Sequence, residues 1–272
     1  MEGKFYVFSE DELRSLLGTA DFETFSRWYG VTEPGNFEGK NILNLIAQEQ
    51  IDLEPKGIQQ LREKVYAYRL HRTKLHRDDK VLAAWNGLMI AAMARAGSSL
   101  DEPRYLDAAA RAVDFMKQRL TDESGRLLAR WREGQAAHPG KLDDYAFYAW
   151  GLLELFAATF QLTYLAEAQR LTECMLTHFF DEENGGFYPY ASDGEQLITR
   201  TKETYDGAMP SGNSVAALVL SRLARLTGNG RIRTAADLQL SYLAGASREY
   251  PAGYGFAMLA FLEELWPSAE LV

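Results

Sequence analysis

Residues 86–97 read NGLMIAAMARAG, residues 150–161 WGLLELFAATFQ and residues 213–228 NSVAALVLSRLARLTG. Each is an apolar helical stretch that ends in a small-residue turn. Met93, Phe156 and Leu223 occupy matching places, so the pattern recurs after 63 and then 67 residues. A period of that length, longer than any heptad, decides the fold.

Each stretch is followed by a second helix: YLDAAARAVDFMKQRL (105–120), YLAEAQRLTECMLTHF (164–179) and IRTAADLQLSYLAG (232–245). Ala109, Ala168 and Ala236 sit at matching positions in them. The two kinds of helix differ. Leu88, Met89, Ile90, Ala91, Ala92 and Met93 make the first kind apolar nearly all round, as in a helix buried on most sides. The second kind leaves Arg111, Asp114, Lys117 and Gln118 for water. Inner and outer helices that alternate in this way form a ring of α-hairpins, an all-α fold of the α/α-toroid type. Simple solenoids also stack helix pairs, but their units run to roughly 33–47 residues.

Short extended pieces punctuate the pairs. DESGRLLARW (122–131) and EENGGFYPY (182–190) share an acid-acid-Ser/Asn-Gly order. Gly125 and Gly185 fit turn positions that favour positive φ, and the residues after each read as one short strand. DEENGG (181–186) lacks the ligand order of a calcium loop and reads as a turn.

The first 75 residues are less regular. KFYVF (4–8) reads as a strand, and Ser9 with Glu12 opens a capping box before SEDELRSLLG (9–18) continues as helix. Helices are expected over 21–29 and 56–72, with a turn-rich loop at 32–41. No linker separates a second domain. The expectation is a single α/α-toroid domain over 1–272, with 1–75 an irregular leading segment and 76–272 the repeating helix pairs.

The composition narrows the function classes. The chain has 272 residues, 47% hydrophobic and 25% charged, with a formal net charge of −9. That acidity, with no long Lys/Arg run, argues against nucleic acid as a partner. No apolar run reaches a membrane span, and Met1-Glu2-Gly3-Lys4 begins no signal peptide, so a cytoplasmic location is expected. Cys174 is the one cysteine. It excludes an internal disulfide and a thiolate zinc cluster, and reads as a small buried hydrophobe. His71, His76, His138 and His178 lack metal-motif spacing, so no metal and no cofactor are expected.

Three polar clusters precede or begin the inner helices: HRDDK (76–80), LDDY (142–145) and YDGAMPSGNS (205–214). They therefore gather at one end of the ring, where the positive poles of the inner helices stabilise carboxylates and anionic ligands. Capping accounts for most such aspartates. Two adjacent aspartates cannot both cap one helix, however, so Asp78-Asp79 and Asp143-Asp144 each leave one over. PSGNS (210–214) reads as a helix start with Ser211 or Asn213 as the cap. It is neither a phosphate loop nor a nucleophile elbow. Trp85 can stack on a sugar face and Asn86 can bond hydroxyls, although core packing explains Trp85 as well. Tyr145, Tyr148, Trp150 and Tyr205 add aromatic surface.

HRDDKVLAAWNG (76–87), LDDYAFYAWGLLEL (142–155) and KETYDGAMPSGNSVAAL (202–218), with EGKFYVF (2–8) and GNFEGKN (35–41), carry a resemblance. The chain resembles the thioredoxin-domain-containing proteins of the YyaL and spermatogenesis-associated protein 20 type. The resemblance implies a toroid similar to the six-hairpin glycosidases and N-acylglucosamine 2-epimerases, preceded in such proteins by a thioredoxin-like domain. Against that pattern the chain lacks the thioredoxin-like region and the first hairpins. An incomplete ring of about four to five pairs, with short β-hairpins in its loops, is expected.

Two readings of function follow. In the first, the chain acts on or binds a carbohydrate. Hydrolysis needs two carboxyls flanking one bond, and Asp144 with Asp206 are the expected pair, Asp79 the substitute. Epimerisation needs a base, for which His76 and His138 are the candidates. Trp85, Asn86 and Tyr145, with Arg77, His76 and Asn213, are the expected substrate-binding residues. In the second reading the chain is a non-catalytic binding or scaffold module.

Overall fold

The computed structural model describes residues 3–49, 53–194 and 198–266. Contacts divide the chain into two units, Met1–Asp78 and Asp79–Val272.

In the first unit, strand β1 (Val7–Phe8) pairs antiparallel with β2 (Asn41–Ile42). Three helices complete it: α1 (Glu10–Leu17), α2 (Thr19–Tyr29) and α3 (Ile58–Arg72). The expected capping box forms. Ser9 Oγ accepts from the Glu12 amide at 3.2 Å, and the Glu12 carboxylate accepts from the Ser9 amide at 3.4 Å. Glu12 also takes Tyr68 Oη and Arg72 Nη1, each at 2.8 Å, and so joins α1 to the last turns of α3. Burial opposes its charge, but these hydrogen bonds hold Glu12 below the usual carboxylate range. Phe8, Leu13, Phe22, Phe25, Ile58 and Val65 lie in the core of this unit.

The second unit carries the repeat. Helices α4 (Ala83–Ser99) and α5 (Pro103–Arg119), α6 (Leu142–Thr159) and α7 (Leu162–His178), and α8 (Gly212–Thr227) and α9 (Gly230–Ser247) form three hairpins. After a 3-10 turn (Pro251–Tyr254), α10 (Gly255–Leu265) adds a fourth inner helix. The inner helices α4, α6, α8 and α10 pack in a row, and α5, α7 and α9 each pack on their own inner partner. Among the described residues the arc is therefore three pairs and one inner helix, fewer than the four to five pairs expected.

Two glycines set the spacing of α4 and α6. A Cβ on Gly87 would lie 2.5 Å from the Phe147 carbonyl carbon, and one on Gly151 would lie 2.7 Å from the Gly87 carbonyl oxygen. The backbones are thus in near contact. Further along, α6, α8 and α10 are tied by Glu154, Arg222 and Glu263. Arg222 Nη1 lies 2.6 Å from Glu154 Oε1, and its Nε lies 2.9 Å from Glu263 Oε2.

Burial is graded along the row. Helices α6 and α8 are enclosed on nearly all sides, as their composition leads one to expect. Helix α4 instead exposes Trp85 and Met89, and α10 exposes Leu259 and Leu262. These are the end members of the row, each flanked by one inner neighbour rather than two. The single strand expected after Gly125 is a hairpin, β4 (Leu128–Arg132) with β5 (Gln135–Pro139), extended by β3 (Val81–Leu82). After Gly185 only an isolated bridge forms, Phe180 to Phe187. Both glycines have positive φ. Among the described residues no helix is long and apolar enough to cross a membrane.

Candidate functional site

The first turn of a helix leaves amide donors without intrahelical partners. In the second unit, aspartates satisfy those donors on neighbouring helices. Asp144, in the first turn of α6, accepts from the Ala84 amide of α4 at 2.9 Å and from the Lys141 amide of its own helix at 2.8 Å. Asp143, one residue earlier, has its carboxylate beside Gly212 at the start of α8, whose amide favours the charged form. Glycine allows this close approach: a Cβ there would run into Asp143 Oδ1 and crowd the Leu142 side chain. Asp206 accepts from Ser211 at 2.8 Å and from the first turn of α10, Phe256 at 2.8 Å and Ala257 at 3.2 Å. The starts of α4, α6, α8 and α10 are thereby gathered at one end by three carboxylates. All four positive helix poles face that end.

The sequence reading placed these acids at one end, but expected them to cap their own helices or to face a ligand. Asp144 does cap its own helix, through the Lys141 amide, and also bonds α4, while Asp206 bonds the starts of α8 and α10, so both carboxylates are engaged by backbone amides. Asp79 is half-exposed and lies 2.8 Å from Arg132 Nε, held by an ion pair to strand β4.

Of the expected sugar-binding residues, Trp85 is 59% exposed in the first turn of α4. Asn86 donates to the Leu82 carbonyl at 2.9 Å. Tyr145 is fully buried: its ring lies against Phe179, and its hydroxyl accepts from the Leu127 amide at 2.9 Å. Burial pushes that hydroxyl up to about 12. Tyr145 is core and presents no surface to a ligand. Asn213 is buried too. Its Oδ1 accepts from the Phe187 amide at 2.7 Å, and its Nδ2 donates to the carbonyls of Phe187 and Glu203. It anchors the loop before α8, while Ser211 caps the helix by accepting from the Ser214 amide. His76 and Arg77 belong to the first unit and are exposed. Tyr148 is core, Trp150 is half-buried and donates to Glu154, and Tyr205 is exposed. Cys174 packs at the edge of the core.

Asp143 is the residue that sequence reasoning treated only as a cap. Burial, then the negative charges of Asp144 and Glu203, push its carboxyl up to about 6; the Gly212 amide and Lys141 act against this. The Asp144 carboxyl is also raised, by burial. The signal for Asp143 was the surplus aspartate in the pair. The contribution of Glu203 had no sequence signal, because it comes from a loop sixty residues further on.

Lys141, just before Asp143, also lines a cleft of about 500 Å3 beside the β4–β5 hairpin. Leu127, Leu128 and Pro139 form its apolar wall, with His138 and Tyr190 alongside. Lys141 Nζ sits 5.1 Å from the Tyr190 ring centroid. His138 holds a φ of 64°, a left-handed conformation uncommon outside glycine, at the end of β5. An ion pair of Arg126 with Asp193, at 2.6 Å, closes the far side. Among the described residues no three His, Cys, Asp or Glu side chains form a metal-ligating group.

Inner helices that share one end, three of the four wrapped by an outer partner among the described residues, define an α/α toroid of the six-hairpin glycosidase type. The chain's homologues include spermatogenesis-associated protein 20. It is 33% identical to the human protein of that name over 266 residues, 84% of this chain and 34% of the relative. The chain thus spans about a third of the length of the curated relatives it matches. No family model matches it. Among solved structures it is similar to a family 76 α-mannanase of Bacteroides thetaiotaomicron, with a TM-score of 0.55, 12% identity and coverage of 72% of this chain and 56% of that one. It is also similar to a cellobiose 2-epimerase of Bacillus thermoamylovorans, with a TM-score of 0.51, 16% identity and coverage of 63% and 46%. These likenesses establish the fold.

Proposed function

We propose that the second unit binds and processes a carbohydrate at the shared starting end of its inner helices, with Asp143 as the proton-carrying carboxyl. One feature carries this reading: the half-buried Asp143 carboxyl lies at the start of α6 beside Asp144 and Glu203, and burial and those charges push it up to about 6. A carboxyl with that value is partly protonated near neutral pH and can act as a general acid. Glu203 supplies the second carboxylate. The neighbouring cleft offers what a sugar needs, an aromatic face at Tyr190 and donors at Lys141 and His138. Asp144 and Asp206 hold the helix starts in register, and Trp85 adds an exposed ring at the start of α4. The names of the structural neighbours, a mannanase and an epimerase, agree with a sugar as ligand.

A second reading is a non-catalytic binding module. It is favoured by the engagement of Asp79, Asp144 and Asp206, each already committed to a backbone amide or an arginine.

The test is a panel of mono- and disaccharides, scored by thermal shift and by product formation. The expected result is a saccharide that raises Tm and is turned over, with Asp143→Asn keeping the shift and losing turnover. Binding without product from any sugar supports the module. A panel with no shift at all contradicts the carbohydrate reading.

A further inference from the structure

The first unit carries a cleft of about 400 Å3, lined by none of the residues proposed above for carbohydrate. Its floor is apolar: Phe8, Phe25 and Val65 are buried, and Leu43 and Tyr29 form the sides. Arg62, Glu63, Tyr66 and Arg69 of α3 make its rim.

The arginines of this unit differ in their partners. Arg62 meets Glu54 at 2.8 Å and the Tyr29 hydroxyl. Arg72 meets Glu12 at 2.8 Å, and Arg14 meets Glu10 at 2.5 Å. Glu63, the acid at the rim, accepts from Gln59 at 3.3 Å. Arg69 has no acid among the described residues. Its guanidinium is held by rings instead, 4.7 Å from the Phe5 centroid, 5.1 Å from Tyr66 and 5.9 Å from Tyr6. Its Nε is buried and has no hydrogen-bond partner among the described residues.

A buried donor without a partner is costly, and native structures rarely leave one. Stacking fixes the plane of a guanidinium while its edge keeps the paired donors that match a carboxylate. The aromatic contacts also remove the conformational freedom that would otherwise oppose binding. The volume lies within the range of small-ligand sites.

We propose that this cleft binds a small apolar carboxylate, with its hydrocarbon on Phe8, Phe25 and Leu43 and its carboxylate on the free edge of Arg69. The charge of the ligand is set by Arg69, a cation with no acid partner among the described residues, and its apolar body by the floor.

Titration of the full chain with 4-phenylbutyrate, 4-phenylbutanol and inorganic phosphate tests this, read by calorimetry and by the methyl resonances of Leu43 and Val65. Phenylbutyrate is expected to bind about tenfold more tightly than the alcohol, the ratio given by one charged hydrogen-bonded contact. Phosphate alone is expected to bind more weakly than phenylbutyrate. Arg69→Gln should reduce phenylbutyrate to the affinity of the alcohol, and Arg69→Lys should recover part of the loss. Arg62→Gln, at the other side of the rim, should change the affinity less than about twofold. Equal binding of acid and alcohol, no binding of either, phosphate binding as tightly as the acid, or resonance shifts confined to other residues would overturn the proposal. The comparison of probes on the unsubstituted chain keeps it testable even where Arg69→Gln fails to fold.

Discussion

Adjacent aspartates in the first turn of α6 do different work. Asp144 bonds one amide of α4, that of Ala84, and one at the start of its own helix, that of Lys141, whereas Asp143 lies toward the start of α8 among other acids. Burial first, and then Asp144 and Glu203, make ionisation of Asp143 unfavourable in the folded chain. The folded value is above the unfolded one, so the linked stability is full below about 4. It is lost as pH rises through about 6. Replacement by a neutral isostere should therefore help at high pH. Asp143→Asn is expected to raise unfolding stability at pH 8 by roughly 1–3 kcal/mol relative to its effect at pH 4, measured by urea denaturation at both values. The capping chemistry of both aspartates was legible in LDDY. The neighbouring helix that each one serves was not, because the partner amides lie on elements sixty or more residues away.

At the scale of elements, the repeat was legible because helices α6 and α8 carry apolar residues on every face. The same composition in α4 misleads. Trp85 and Met89 are exposed because α4 stands at the end of the row, and position in a row leaves no mark on a helix's own sequence. The hairpin β4–β5 was read as one strand, since its turn at Glu133-Gly134 needs positive φ at both residues and only the glycine announces it. Gly87 and Gly151 set the approach of α4 to α6. A methyl group at Gly87 would have to push back the α6 backbone, not a flexible side chain. Gly87→Ala is expected to destabilise the chain by about 1–3 kcal/mol in denaturant melts. An unchanged midpoint would mean that the two helices do not meet there.

At the scale of the molecule, helical hairpins turn distant sequence into one polar end. Asp79-to-Asn86, Asp143-Asp144 and Asp206-to-Ser214 are far apart in the chain, and their helices begin side by side because the inner rods run in the same direction. That much followed from the period alone. What did not follow was the electrostatics, which depends on Glu203 arriving beside Asp143 from the loop before α8. The most direct measurement is a pH titration of the Asp143 side-chain carboxyl by carbon NMR, in the intact chain and in Glu203→Gln. The expected midpoint is about 6, moving down when Glu203 is neutralised. A midpoint in the ordinary aspartate range near 4, indifferent to Glu203, would contradict the account.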